Sequence, residues 1–321
     1  MEKHYIPEDR FPVQLDNNIF MLGNYFFNLF LIAGKQNNAL FEVGISAVVD
    51  QVIRQLDILG ITPNYIIPSH PHSDHITGLP GLINKFPKAQ IITARGAKEF
   101  IEHPRAAPLM FKEDQFMSKN LFRFDITPGR PSLQEIPDLN DSFVIDEQKS
   151  LDLGDVTLDL ITVKGHSPGN LIGSIKKKTI LFCSDSIGFH YPGRGYFPLF
   201  FTGADPYLST MKFIREFNPS TLCPAHQGPL SGKKAIQGIQ ESYDFTMDTI
   251  NMIKQSDPDD KTVADRLFEK GYKDEFTLYT PENIKNCCNL LIKRSWEAKT
   301  VTDPTPNTSP AIQRRKHVRK T

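Results

Sequence analysis

Six residues, His70-Pro71-His72-Ser73-Asp74-His75, constrain this chain more than any other stretch. They place three imidazoles and a carboxylate directly after an apolar run, Tyr65-Ile66-Ile67-Pro68. A neutral imidazole offers a nitrogen to a metal at neutral pH, and a carboxylate lowers the net charge of a divalent site. If the loop stays extended, His70 and His72 point to the same side, because side chains two apart share a face. Asp74 and His75 then serve a second metal just beyond. A solvated histidine-rich turn is the plainer alternative, but a metal cluster accounts better for the composition.

Three later stretches repeat the arrangement of an apolar strand with a ligand-type residue at its exit. Leu160 to Val163 leads into Gly165-His166-Ser167, and Thr179 to Cys183 leads into Ser184-Asp185-Ser186. Ser220 to Cys223 then runs into Pro224-Ala225-His226-Gln227-Gly228. Four strand exits of this kind are expected when a site is built on one rim of a sheet sandwich.

The rest of the pattern predicts an α/β fold. Ile19 to Leu22, Phe26 to Ala33 and Ala39 to Val43 are short apolar runs separated by turn residues, which predicts a β-meander. Ser46 is the expected N-cap of a helix with Val49, Val52, Ile53, Leu56 and Leu59 on one face and Gly60 as its stop. Helices over 78–86 and 97–102 flank a strand over 90–93, and strands alternating with helices indicate layers. Leu109 to Phe122 is amphipathic; packing on the domain is its default role, and a Met- and Phe-lined substrate channel is the alternative. Asp205-Pro206 is the expected start of a helix ending at Asn218-Pro219. After His226, helices are predicted over 233–254, 262–270 and 281–296, the last with Thr280 as N-cap.

Composition narrows the partners. Lysine plus arginine equals aspartate plus glutamate at 37 each, so no global field draws the chain to nucleic acid or an anionic membrane, and a small-molecule substrate is favoured. Cys183, Cys223, Cys287 and Cys288 lack CxxC spacing, which suits reduced thiols in a cytoplasm. The start Met1-Glu2-Lys3-His4-Tyr5 lacks the form of a signal peptide, and no apolar run is long enough to span a bilayer.

The ordered set His70-x-His72-x-Asp74-His75, Gly165-His166-Ser167, Ser184-Asp185-Ser186 and Ala225-His226-Gln227-Gly228 resembles the signature of the metallo-β-lactamase-fold hydrolases, over roughly residues 13 to 230. The resemblance implies an αβ/βα four-layer sandwich with a two-metal site at one edge. By position it implies that His70, His72 and His166 hold one metal, that Asp74, His75 and His226 hold the other, and that Asp185 bridges them. The donors are all nitrogen and oxygen, which admits two zinc ions first, with iron or manganese as alternatives. Two ions so held lower the pKa of a bridging water, and the hydroxide attacks an acyl or phosphoryl centre, with Asp74 orienting it or shuttling a proton.

Three details bear on the resemblance. Glu42-Val43-Gly44 stands where many members have Asp-x-Gly; Gly188 stands where lactone-hydrolysing members carry a tyrosine; and the large extra domains of the nucleolytic branches are not seen. The stretch Ala39 to Ser46 and the C-terminal helices are similar to the thioesterase-like quinolone-response members of the fold. The organisation expected is therefore a catalytic unit over 1–230, a helical extension packing on it over 231–298, and a disordered tail over 299–321 whose basic end is solvated. Packing on that unit is the extension's default role, and capping the pocket or forming a homodimer interface are the alternatives. The aromatic loop after Asp185 is expected to wall the site, with Phe189, His190, Tyr191, Tyr196 and Phe197 as pocket residues. The leading expectation is a dinuclear hydrolase of an ester-like bond, thioester or ester, of a small and partly apolar molecule. An iron-dependent, dioxygenase-like oxidoreductase and a regulatory protein keeping a vestigial site are the alternatives.

Overall fold

Short, mostly apolar strands create two main sheets, each with two faces to cover. In the computed structural model, which describes residues 5–299, the first sheet begins with the antiparallel meander β1 (Val13–Asp16), β2 (Ile19–Gly23), β3 (Asn28–Ala33) and β4 (Asn38–Phe41). α1 (Val49–Leu59) crosses to the parallel strand β5 (Tyr65–Ile67). The short α2 (Ser73–Ile76) and α3 (Leu79–Lys85) precede β6 (Gln90–Ala94), and α4 (Ala97–Ile101) and α5 (Ala106–Asn120) precede β7 (Phe143–Ile145). The seven strands lie in sequence order.

The second sheet is built from β8 (Gln148–Asp152), β9 (Thr157–Val163), β10 (Asn170–Ile175) and β11 (Ile180–Phe182). A separate ribbon, β12 (Phe189–Tyr191) with β13 (Gly195–Phe197), follows, then α6 (Ala204–Phe217), β14 (Thr221–Cys223) and β15 (Leu230–Ser231). Its order is β15-β14-β11-β10-β9-β8, with β14 parallel to β11. Three helices close the described residues: α7 (Lys233–Lys254), α8 (Thr262–Gly271) and α9 (Pro281–Glu297).

Period two along the strands sorts side chains into layers. Phe30 and Ile32 of β3 face Phe182 and Leu160 in the core between the sheets, while Leu29 and Leu31 face α1 on the outside. Leu181 and Leu222 face outward from the second sheet against Ile214 of α6 and Ile239 of α7. Helices, sheet, sheet and helices make the αβ/βα sandwich. Because both faces of the central strands are covered, those strands carry near-continuous apolar runs. Ile250, Val263, Ile284 and Leu291 of the last three helices join the same apolar core as Leu29 and Leu31. Residues 231–298 therefore share the core of 1–230. Apart from Lys299, the tail expected over 299–321 lies outside the described residues.

Two helix starts differ from expectation. Ser46 does not cap α1: its backbone N–H and hydroxyl both go to the buried carboxylate of Asp114, at 3.0 and 2.5 Å, and a 3-10 turn over Ser46–Val48 leads into the helix. Asp205 lies inside the first turn of α6 rather than before it, and Gly203 occupies the cap position. Gly60 ends α1 in the left-handed conformation (φ 65°), as a C-cap glycine does. The strand β1 has too little apolar character to stand out in the sequence. Among the described residues no helix is long and apolar enough to cross a membrane.

Candidate metal centre

Five strand exits converge on one rim. His70 follows β5, His166 follows β9, Asp185 follows β11, His226 follows β14, and Glu42 follows β4. Asp74 and His75 ride on the single turn of α2, with His72 at its N-cap. Gly165 fixes the approach of His166: its φ is +108°, and a Cβ there would stand 2.3 Å from the backbone N and Cα of Tyr207. Only glycine lets the loop lie this close to α6.

The donors gather in two groups. His70, His72 and His166 form one, and Asp74, His75, Asp185 and His226 the other; within each, the ligand atoms lie within 4.8 Å of one another. His70 Nε2 is 3.0 Å from both His72 Nδ1 and His166 Nε2. Asp185 Oδ2 lies 3.5 Å from His166 Nε2 and 3.4 Å from His75 Nε2, between the two groups, and its Oδ1 lies 3.5 Å from His226 Nε2. Asp74 Oδ2 is 3.2 Å from His75 Nε2 and 3.4 Å from His226 Nε2.

The protonation pattern fits metal ions at both groups. His166 Nδ1 donates to the carbonyl of Leu199 at 2.7 Å, His226 Nδ1 to the carbonyl of Phe26 at 2.6 Å, and His75 Nδ1 to Glu42 Oε2 at 3.1 Å. Each partner only accepts, so each Nδ1 carries a proton and each Nε2, the atom left for a metal, points inward. The Nε2 atoms of His75 and His226 are buried with no hydrogen-bond partner. Ligands of a tetrahedral ion at its usual bond lengths stand roughly 3.3 Å apart, the spacing found here. Zinc, iron or manganese is compatible with such donors.

Electrostatics follow from burial. Desolvation, helped by neighbouring imidazoles, holds His70, His72 and His166 below the ordinary histidine value, His72 at about 3, so they are neutral at neutral pH. Burial opposes charge on Asp185, yet His75 beside it, with His226 and His166, holds its carboxyl at about 2. Burial also opposes charge on His75 and His226; Asp74 and Asp185 outweigh it and raise both.

A cavity of about 360 Å³ opens over the donors, lined by His72, Asp74, His166 and Asp185 on one side and by α5, α9 and aromatic side chains on the other. Of the five aromatic-loop residues, the structure places only Phe189 in this wall. The reason is the ribbon: β12 pairs with β13 so that Phe189, Tyr191 and Phe197 share a face and His190 and Tyr196 share the other. The first face packs on Phe276, with centroids 4.6, 6.0 and 5.1 Å away, and the Tyr191 hydroxyl donates to the carbonyl of Gly271. His190 and Tyr196 line a different cavity beside Lys234 and Glu241. His190, Tyr191, Tyr196 and Phe197 are thus corrected as pocket residues.

Tyr279 and Glu113 are cleft residues that had no place in the sequence reading. Tyr279, just before the N-cap of α9, donates its hydroxyl to Asp74 Oδ2 at 2.9 Å. Glu113 of α5 sits buried in the wall and accepts from the backbone N–H and hydroxyl of Thr280. An acid at the spacing of Met110 and Met117 along an apolar face was the available signal for Glu113. The Met-lined channel over Leu109 to Phe122 has a counterpart here, because Leu109, Met110 and Met117 line the cavity while Met110 and Met117 also enter the core.

A two-sheet sandwich carrying an imidazole and carboxylate centre on one rim defines a class of metal-site proteins. The family model of the metallo-beta-lactamase superfamily matches residues 23–226, and the chain belongs to that superfamily. It is similar to a hydroxyacylglutathione hydrolase of Hamiltonella defensa, 26% identical over 210 residues that make up 65% of each chain. A second, from Photorhabdus laumondii, is 22% identical over 64% of this chain and 66% of its own. The chain thus spans about two thirds of the length of the curated relatives it matches. In fold it is similar to a beta-lactamase domain protein from Burkholderia ambifaria, with a TM-score of 0.60 at 15% identity, covering 87% of this chain and 88% of that one.

Proposed function

We propose that the protein is a metal-dependent hydrolase of an ester-like bond, a thioester or ester of a small, partly apolar molecule. The observation that carries this reading is the set of inward Nε2 atoms of His75, His166 and His226, gathered with two carboxylates beneath an apolar cleft. In it, His70, His72 and His166 would hold one divalent ion and Asp74, His75 and His226 the other, with Asp185 standing between the two groups. When bound, such ions supply an acidified water and polarise the acyl oxygen. The residues do the rest. Asp74 takes the proton of the attacking water and passes it to the leaving group as the water oxygen bonds to the acyl carbon and the C–S or C–O bond breaks. Tyr279 holds the Asp74 carboxylate in place, and Glu42 fixes the His75 tautomer. The hydrolase names of the two relatives agree with this reaction class. The free thiols of the four cysteines fit a reducing cytoplasm.

The test is elemental analysis of the purified protein followed by assay on a panel of thioesters, lactones and phosphodiesters. Turnover of thioesters or esters with about two ions per chain is expected. Metal-loaded protein inert on all three would overturn the reading, and oxygen uptake with a thiol or persulfide would replace it with iron-dependent oxidation.

A further inference from the structure

The cleft above the donors has walls of a particular chemistry. From α5 come Leu109, Met110 and Met117; from α9 come Cys287 and Leu290; Phe201 stands beside His72 and His166. These side chains are carbon and sulfur, and methionine and leucine adapt their shape to a flexible chain; the uncharged polar lining is Asn283 and Asn286 of α9 with Ser73 and Thr202. The charged wall residue other than the proposed ligands is a carboxylate, Glu113, committed to Thr280 at the start of α9. Among the described residues no lysine or arginine lines the cavity. Leu109 and Leu290 remain 41% and 36% exposed, so the slot between α5 and α9 keeps an apolar mouth open to solvent.

We infer that this slot binds the hydrocarbon body of an uncharged acyl group, with the scissile carbonyl at the donors. The inference rests on the hydrolase reading and specifies its substrate class. An anionic acyl group would have to leave water beside Glu113 with no lysine or arginine in the slot to receive it, which costs heavily. A short hydroxylated acyl group would leave the slot unfilled. A hydrocarbon of several carbons gains from each methylene taken out of water. The volume of about 360 Å³ is at the small end of ligand pockets, which suits a medium-length chain.

The test uses metal-loaded enzyme and three thioesters of one neutral thiol, N-acetylcysteamine, carrying octanoyl, lactoyl and succinyl groups. A kcat/KM for octanoyl about 100-fold above lactoyl is expected, with succinyl lower still. Leu290→Arg, at a half-exposed position that tolerates charge, should narrow the octanoyl-to-lactoyl ratio about tenfold. Lactoyl or succinyl turned over as well as octanoyl would overturn the inference and leave the hydrolase reading intact. A thermal-shift measurement with octanamide separates the two further, because it needs no turnover. Octanamide should raise the melting temperature and Leu290→Arg should abolish the shift; absence of a shift in the wild-type protein would overturn the slot even if thioesters are cleaved.

Discussion

Replacing Tyr279 by phenylalanine removes one oxygen from the cleft and leaves the ring, which lies within the apolar core, in place. That oxygen donates to Asp74 Oδ2 at 2.9 Å, and the same Oδ2 stands 3.2 and 3.4 Å from the Nε2 atoms of His75 and His226. A hydrogen bond to a charged group contributes about 1.5–3 kcal/mol, and each 1.4 kcal/mol is about a factor of ten. Loss of the phenol should therefore weaken the second ion's binding, or lower kcat/KM, by about 10–100-fold, the usual range for a group that orients a ligand. Competition with a chelator gives the affinity, and thioester turnover at saturating metal gives the rate. Tyr191→Phe is the control: its hydroxyl donates to the Gly271 carbonyl at 2.6 Å, away from the donors, so it should cost stability while leaving metal affinity unchanged. If Tyr279→Phe left both affinity and rate within twofold of wild type, the orienting role would be refuted. If both tyrosine variants lost metal alike, the effect would be structural.

Asp185→Ala should lose metal from both groups, because its carboxylate stands between them; elemental analysis finding one ion fully retained would contradict the bridge. Gly165→Ala should destabilise the fold by about 3 kcal/mol or more, since it adds a Cβ against the backbone of Tyr207 at a left-handed φ; denaturant titration reads this directly. In metal-free protein, burial depresses His70, His72 and His166 below their unfolded value of 6.5. The unfolded chain then binds protons first, so their contribution is complete above about pH 6.5 and is lost as pH falls toward about 3. His75 and His226 are raised and stay charged in both states through that window. Denaturation midpoints of stripped protein should therefore fall between pH 6.5 and 4.5, and a flat or rising series would refute the assignment.

The convergence of these imidazoles and carboxylates was legible because they follow apolar strands, and strands buried on both faces print their ends clearly in sequence. Thr280 as N-cap of α9 was legible for a similar local reason, and its hydroxyl does accept from the Asn283 N–H. The cleft was not. Glu113 and Thr280 meet across 167 residues, and Tyr279 reaches Asp74 across 205, contacts that no local period encodes. The aromatic loop misled for a physical reason too. A run of Phe and Tyr beside a ligand looks like a wall, but pairing as a two-stranded ribbon sent alternate rings to opposite faces and spent most of them on Phe276. The Ser46 cap failed because Asp114, 68 residues away, held that hydroxyl more strongly than the local helix end could.

The helix α9 has two faces with different duties. Ile284, Cys288 and Leu291 anchor it in the core, while Asn283, Cys287 and Leu290, a turn apart from one another, look onto the cleft. Substitutions along the second row change what the cleft admits without entering the packing that keeps the helix attached. Selection, natural or in the laboratory, can thus rewrite selectivity on α9 at small cost in folding, while the metal donors on the opposite rim stay untouched.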